Sequence, residues 1–287
     1  MPLALYTEKG IIMDTSRDPH WGFIAYFGVI HLGGIIGTWY ASQYASSTIV
    51  WFAIAYFFIG HLAITCGAHR LYAHESYRAS TALQYFFVLA FSAVAQGPIT
   101  WWVGKHRQHH SHTDKEDDPH SPKQSFFHGH MGWLLTKGGR QPSPPKYMHH
   151  FQRDGGMTYR PALWQRRHQR KLIITMAALV PAFFGVLVGD VLGGILVGVF
   201  ARLMWQYHLT WIVNSAGHRF GTSHGESATN IWLLALPTVG ESFHANHHKW
   251  PLSYRLGRHW WQPDPGLYLI KLCMWLGLAH ELEQKPA

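Results

Sequence analysis

The sequence has little cysteine and few charged side chains. Its two cysteines, Cys66 and Cys273, form no CxxC motif, so neither a disulfide framework nor a thiolate metal site is expected. Charged residues make up 14% of the 287 residues, whereas hydrophobic residues make up 47%. This composition favours a membrane protein over a soluble domain. Residues 1–14 lack a basic head before an apolar core, so we expect no removable signal peptide.

Acidic residues are also scarce, since 15 Asp and Glu stand against 24 Lys and Arg. The formal charge of +9 would suit a nucleic-acid partner if the basic residues formed one surface. Instead most of them lie in 68–171, between apolar stretches. That position is typical of a cytoplasmic loop that faces anionic lipid. We therefore expect membrane lipid as a partner and no nucleic acid.

Four apolar stretches are long enough to cross a hydrocarbon core of roughly 30 Å, which takes about 20 helical residues. They cover residues 22–41, 48–67, 172–189 and 191–213. Short links join the first stretch to the second and the third to the fourth, so we predict two helical hairpins. The positive-inside rule then places 68–171 and both termini in the cytoplasm.

A fifth apolar stretch, residues 80–99, separates the histidines of HRLYAH from those of HRQHH. If this stretch crossed the membrane, the two sets would lie on opposite faces and could not meet. A helix in the interface, or one that dips in and returns before Pro98, keeps them together. The predicted fold is therefore a single all-α integral membrane domain, 1–287. It has four transmembrane helices in two hairpins, an in-plane helix, and a His-rich cytoplasmic cap of 68–171 and 214–287.

Histidine is abundant, with 23 residues, and four groups of polar residues lie at predicted cytoplasmic helix ends. They are His69 and His74; His106, His109 and His110; Asn214 and His218; and His244, His247 and His248. The HxxHH spacing places three imidazoles on one helical face. His69 and His74 would point about 140° apart on an ideal α-helix. They therefore either bind different metals or sit where the helix ends.

A metal site explains these groups better than scattered solvated histidines do, because all four fall on the same predicted side of the membrane. Nine imidazoles are too many for one ion, since structural zinc takes four ligands and catalytic zinc usually three. We therefore predict two metals. Imidazole binds Fe, Zn, Cu and Ni alike, so spacing leaves the element open. Other histidines, such as His31, His61, His149 and His150, are interpreted as ordinary side chains.

The motifs GAHRLYAH, KHRQHHSHTDKEDDPHSP, FFHGHMGWLL, NSAGHRFG and GESFHANHH together resemble the stearoyl-CoA desaturase family of membrane fatty acyl desaturases, particularly its bacterial members. The resemblance implies a di-iron centre with these nine histidines as ligands, Asn214 holding a metal-bound water, and O2 as co-substrate. It further implies a cis double bond at the ninth carbon of a saturated acyl-CoA or lipid-linked acyl chain, made at a bacterial inner membrane.

Two alternatives stay open beside a desaturase. One is a related di-iron hydroxylase, and the other is a membrane metal-binding or transport protein. A transporter is expected to place polar ligands near the bilayer midplane, whereas these histidines lie at span ends. In desaturation the alkyl chain supplies two electrons and O2 accepts four, so a separate donor is implied, either a ferredoxin or a cytochrome with its reductase. Lys105, Arg107 and Lys115 are candidates for docking an acidic donor.

Supporting residues are suggested by position alone. Metal-bound imidazoles usually donate their second nitrogen to a carboxylate, and the carboxylates nearest the motifs are Glu75, Asp117, Asp118 and Glu241. Tryptophans suited either to an acyl tunnel or to interfacial anchoring are Trp101, Trp102, Trp133, Trp260 and Trp261. The adjacent basic residues that animal acyl-CoA members carry after GWLL are not matched, because Lys137 is followed by Gly138. The head group therefore stays open between acyl-CoA and acyl-lipid.

Overall fold

The computed structural model describes residues 17–225 and 227–280, and helices dominate this part of the chain. The residues examined for a signal peptide and residues 281–287 of the predicted cap lie outside it. The main helices are α1 (Trp21–Gln43), α2 (Ser47–Ala73), α3 (Thr81–Ala93), α4 (Ile99–His112), α5 (Arg160–Leu187), α6 (191–215), α7 (His244–Lys249) and α8 (Pro265–Trp275). Short helical turns occupy Phe126–His130, Gly132–Leu135, Lys137–Arg140, Pro145–Tyr147, His149–Gly156, Ala216–His218 and Trp232–Leu234. Strands Arg78–Ala79 and Ala279–His280 pair antiparallel, with Arg78 opposite His280.

Three of the described helices, α1, α2 and α5, are long and apolar enough to cross a membrane. Two of them exceed the predicted spans. Helix α2 continues past residue 67 to Ala73, and α5 begins at Arg160, well before residue 172. Residues 68–73 and 160–171, predicted to belong to the cap, therefore extend the membrane helices. Helix α6 covers the predicted span 191–213 but is less apolar, because it carries Arg202, Gln206 and His208.

Helix α1 packs mainly on α6, through a row of glycines. A Cβ atom on Gly33 would lie 2.6 Å from the ring of Phe200, and one on Gly37 would overlap the carbonyl oxygen of Leu196. Small residues four apart allow this close approach of two helices, as they do where helices associate by packing rather than by water exclusion. The first predicted hairpin is thus held by contacts between the two hairpins more than by contacts within itself.

The two hairpin turns meet at one partly exposed carboxylate. Asp190, between α5 and α6, accepts a hydrogen bond from the backbone N–H of Ser46 at 3.0 Å and one from the hydroxyl of Tyr40 at 3.1 Å. It also caps α6 by accepting from the N–H of Gly193 at 2.8 Å. Both turns consequently lie at the same end of the helix bundle, opposite the histidine motifs.

Helix α3 has 13 residues and packs on α2 and α5. A helix of this length extends about 20 Å, less than the thickness of a hydrocarbon core. The chain before α3 meets the chain after it, since Nε2 of His74 lies 2.7 Å from Nε2 of His106. The two motifs on either side of residues 80–99 therefore meet, as predicted.

A buried ion pair attaches the C-terminal part of the chain to α2. The guanidinium of Arg70 donates to Asp264 at 2.7 Å and to the carbonyl oxygen of Tyr254 at 2.7 Å. Asp264 also caps α8 by accepting from the N–H of Leu267. Removing one partner of such a pair leaves the other charge buried without compensation. This contact fixes the segment that follows α7 against the helix that carries His69.

The contact between α1 and α6 gives a first prediction. Replacing Gly37 with Leu forces the two helices apart, because the new side chain meets backbone rather than a movable side chain. Overpacking of this kind costs about 1–3 kcal/mol. A thermal unfolding curve in detergent should show a lower midpoint for Gly37→Leu. Gly28→Leu is the matched control, since nothing lies within 4 Å of its added Cβ; equal midpoints for the two variants would contradict the packing argument.

Candidate metal centre and adjoining cavity

The last part of α2, Ala63–Ala73, is a π-helix rather than an α-helix. Its wider turn makes i→i+5 hydrogen bonds, and the N–H of His74 donates to the carbonyl oxygen of His69 at 3.0 Å. Residues five apart then lie on one face, and the ring centroids of His69 and His74 are 5.0 Å apart. The idea that the two point to different metals is wrong for this geometry. The alternative, that the motif sits at a helix end, is right.

The other histidines come from three further elements. His106, His109 and His110 occupy the last turns of α4, His218 lies in the turn after α6, and His244, His247 and His248 are half of the residues of α7. Both HxxHH motifs are helical, as their spacing predicts. Facing turns therefore direct their imidazoles into one common space beside the end of α2.

The nine predicted histidines come together in two groups. The first group consists of His69, His74, His106, His110 and His247, and the second of His109, His218, His244 and His248. Within each group the candidate ligand atoms all lie within 4.8 Å of one another. The Nε2 atoms face each other, for example at 2.9 Å between His69 and His247 and at 3.0 Å between His218 and His244. The groups adjoin, because the rings of His110 and His248 stack at 4.3 Å.

Three carboxylates orient histidines of both groups. Nδ1 of His69 donates to Glu241 at 2.7 Å, Nδ1 of His109 donates to Asp118 at 2.9 Å, and Nδ1 of His218 donates to Asp114 at 3.3 Å. A proton held on Nδ1 leaves a lone pair on Nε2, which is the tautomer that a metal requires. Each carboxylate thus fixes both the ring orientation and the donor atom.

Of the four predicted supporting carboxylates, two contact the histidine groups and two do not. Asp118 and Glu241 contact the histidine groups, whereas Glu75 accepts from Arg107 at 3.1 Å and from Tyr159 at 2.7 Å instead. Asp117 is exposed at the surface. Asp114 was missed, although it stands in the same TDKEDDP run as Asp118. The sequence contains no signal that separates these neighbouring aspartates, because a turn decides which of them faces inward.

The nitrogen geometry fits metal ions. Burial lowers the pKa of most histidines in both groups, that of His110 to about 3, so these rings are neutral near pH 7. Neutral rings oriented through Nδ1 present lone pairs to each other at Nε2. Lone pairs on Nε2 atoms that are 2.7–3.2 Å apart repel each other unless a cation lies between them. One group of five nitrogens and one of four therefore match two cations.

Histidines interpreted as ordinary side chains lie outside the two groups. His31 bonds to His208 at 3.1 Å, His61 bonds to Gln206, and the exposed His149 bonds only locally to Lys146. His150 is buried, where it bonds to Arg107 and to the carbonyl oxygen of Tyr72. One buried histidine was missed: His120 stacks on His109 at 4.4 Å and joins a third, smaller group with Asp118.

A cavity leads to the first group. Aromatic side chains dominate its wall, which consists of Phe23, Tyr26, Phe27, Ala95, Gln96, Trp101, Trp102, Lys105, His106, His120, Trp133, Leu134, Arg140, Tyr207, Thr210, Trp211 and Asn214. Three of the five candidate tryptophans line it. The other two, Trp260 and Trp261, are exposed and lie elsewhere, so their assignment to a tunnel is wrong.

A second, smaller cavity continues from the first at Trp102, His106, Thr210 and Asn214, and it also borders His244 of the second group. The junction is held by hydrogen bonds. Nε1 of Trp102 donates to Gln96 at 3.1 Å, and Nε2 of Gln96 donates to Thr210 at 2.9 Å. Asn214 therefore lies where both cavities pass the histidine groups.

The predicted basic docking face is not formed as expected. Lys105 is only 5% exposed and lines the larger cavity, where burial and Arg140 lower its pKa to about 8. Arg107 is half-buried and pairs with Glu75. Lys115 alone of the three is exposed. Residues that are close in sequence are separated here because α4 turns one of them inward.

These features are those of a helical membrane protein: it has long apolar helices, two nitrogen-rich groups that fit metals, and an aromatic cavity beside the first group that suits an apolar chain. The chain belongs to the fatty acid desaturase family, whose model matches residues 45–263. The resemblance seen in the sequence motifs is thereby confirmed, and the chain is an oxidoreductase that acts on fatty acyl chains. Membership also sets aside the metal-transport alternative.

Named relatives are similar to this protein over most of its chain. It is similar to a sn-1 stearoyl-lipid 9-desaturase of Synechocystis, with 34% identity over 93% of this chain and 81% of the relative. A sn-1 stearoyl-lipid 9-desaturase of Anabaena variabilis is 33% identical over 94% of this chain and 96% of its own length. A probable acyl-CoA desaturase of Schizosaccharomyces pombe is 34% identical over 82% of this chain and 49% of that protein.

The two nitrogen groups predict the metal content. Purified protein should contain two metal ions per chain by elemental analysis, and His247→Ala and His244→Ala should each lower the content by about one ion, because they remove a donor from different groups. His149→Ala is the control, since this side chain is exposed and outside both groups. His150→Ala is unsuitable because that ring is buried and bonded. Two ions retained in both cage variants would contradict the two-site geometry.

Proposed function

We propose that this protein is an O2-dependent di-iron desaturase that introduces a cis double bond between the ninth and tenth carbons of a saturated fatty acyl chain. The observation that carries the proposal is the aromatic cavity, which reaches the first histidine group at His106 and adjoins a smaller cavity that also borders His244 of the second group. The 9-desaturases named among its relatives support the position of the bond.

The first group would bind one iron through five imidazoles, and the second would bind the other through four imidazoles and a water held by Asn214. Five nitrogens exceed the four ligands of a tetrahedral zinc site, which favours an ion with higher coordination. When bound, the irons supply the activation of O2 that removal of hydrogen from unactivated methylenes requires. Glu241, Asp118 and Asp114 keep the imidazoles in the ligand tautomer.

The two cavities would fix the distance between the carboxyl end of the acyl chain and the histidine groups. They would thereby act as a ruler that sets the position of the double bond. Its carboxyl end would lie near Arg140 and Phe23, at the end of the larger cavity formed by the start of α1 and the 132–141 loop. The methyl end would enter the smaller cavity, whose apolar wall includes Ile64 and Leu209. The bonded junction of Trp102, Gln96 and Thr210 then holds one methylene pair beside both groups. Fixing the reacting carbons in this way lowers the entropic part of the reaction barrier, because the chain is already ordered before the reaction begins.

A separate electron donor, a ferredoxin or a cytochrome with its reductase, would supply the two electrons that the acyl chain does not. The docking site we propose is an open concave face, lined by His74, His110 and His248 of the centre and by Arg107 and Lys146. Here the histidine groups come nearest to the surface, which shortens the path for electrons. Its basic residues would attract an acidic donor.

We further propose that the chain, 1–287, forms one catalytic domain with four membrane spans, α1, α2, α5 and α6, in a bacterial inner membrane. The Asp190 contacts support this arrangement, because they bring both hairpin turns to the end opposite the histidines. The cap and both termini would then be cytoplasmic, on the side of the basic residues, and α3 would lie in the plane of the membrane.

The ruler predicts where the bond forms. Feeding saturated chains of 16 and 18 carbons to cells that express the protein should yield a bond at the ninth carbon in both, located by mass spectrometry, because the distance from the carboxyl end to the histidines is constant. His106→Ala should yield none. A bond at a constant distance from the methyl end would refute the ruler, and oxygenated products would favour a hydroxylase.

The donor site predicts a charge effect. Lys146→Glu should raise the KM for a reduced acidic donor roughly tenfold at low salt, since it reverses a charge on the concave face. Turnover at saturating donor should change little. Lys115→Glu is the control, because this lysine is exposed but lies outside that face. An equal effect of the two substitutions would mean that only general charge attracts the donor.

A further inference from the structure

The larger cavity contains two cations that its wall does not neutralise. Lys105 and Arg140 both line it, and no Asp or Glu is among the described residues of that wall. Lys105 is nearly buried, and Nε of Arg140 is buried without a hydrogen-bond partner among the described residues. Buried like charges without a counter-ion are unfavourable. A cavity that holds two of them is therefore complementary to an anion.

Arg140 is held in place by aromatic rings rather than by an acid. Its guanidinium carbon lies 3.7 Å from the ring centroid of Phe23 and 4.5 Å from that of Trp101. Trp101 in turn stacks in parallel on Trp133, with centroids 5.8 Å apart. Stacking on the faces of these rings leaves the N–H groups at the guanidinium edge free to donate. The cation is thus fixed, while its Nε has no hydrogen-bond partner in the part of the chain that the structure describes.

The position of the two cations limits how far the anionic group of the substrate can lie from its acyl chain. Lys105 precedes His106 in α4, and both line the same cavity, so an anion at Lys105 lies inside the substrate cavity rather than at a distant surface. A glycerophospholipid carries its phosphodiester only a few bonds from the acyl ester. Phosphopantetheine carries its phosphate at the end of a long arm, which would place that phosphate well outside. The geometry favours the compact anion.

We infer that Lys105 and Arg140 form an anion subsite that binds the phosphodiester of a glycerophospholipid, so that the substrate is an acyl chain esterified in a phospholipid. This inference rests on the proposed desaturase function and adds the head group to it. The two residues act as specificity determinants: they bind the head group and thereby set the position of the chain along the ruler. Lys137, the basic residue after GWLL, has no such role, because it is exposed and pairs with Asp18 at 3.3 Å.

The test compares two lipids with identical acyl chains, phosphatidylglycerol and an uncharged diacylglycerol glycolipid. The wild type should show a higher kcat/KM for phosphatidylglycerol. In Lys105→Met and Arg140→Gln the ratio of the two kcat/KM values should fall roughly 10- to 100-fold, since each loses hydrogen bonds to a charged group. The ratio is insensitive to general damage, which lowers both values. Lys137→Gln should keep the wild-type ratio.

A binding measurement separates this inference from the proposed reaction. Phosphatidylglycerol with brominated chains should quench tryptophan fluorescence through Trp101 and Trp133 in the wild type, and more weakly in Arg140→Gln, whether or not the protein desaturates. Such binding without desaturation would overturn the proposed function and leave the subsite standing. An unchanged ratio and unchanged binding in both variants would overturn the subsite. Preference for acyl-CoA or for free fatty acid would overturn its assignment to a phospholipid.

Discussion

The arrangement of the whole molecule depends on bringing nine imidazole nitrogens close together while their rings are neutral. Lone pairs facing one another at about 3 Å repel, and a group of them is stable only around cations. Contacts around the site hold the rings in place against that repulsion. Glu241, Asp118 and Asp114 do so through Nδ1, and the ion pair of Arg70 with Asp264 fixes the chain behind them.

The need to direct the imidazoles to one centre also explains why α2 ends in a π-helix. Residues five apart diverge on an α-helix, yet His69 and His74 must face one centre. The π-helical end of α2 solves this problem at the cost of poorer backbone packing, as π-helical segments at functional sites often do. Because α2 is also one of the apolar helices, the histidine groups lie directly at the end of a helix that can enter the membrane.

The proposed substrate cavity and the first histidine group share one helix. Helix α4 contributes Trp101, Trp102, Lys105 and His106, so it carries aromatic lining, a cation and a ring of that histidine group. Any shift of α4 would move the proposed head-group subsite and the histidines together. This coupling keeps the distance between them constant, which is what a ruler for an acyl chain requires.

The sequence alone determined the helical class, the extent of α1 and the nine histidines that come together, because hydrophobic length and helical spacing are local properties. Tertiary structure decided which histidines share a group, since that depends on how α2, α4 and α7 face one another. It also decided that Asp114 rather than Asp117 faces inward, through a turn whose conformation no local pattern encodes. The clearest case is Lys105: its sequence neighbours suggest a basic surface, yet only the packing of α4 against the cavity buries its charge beside Arg140.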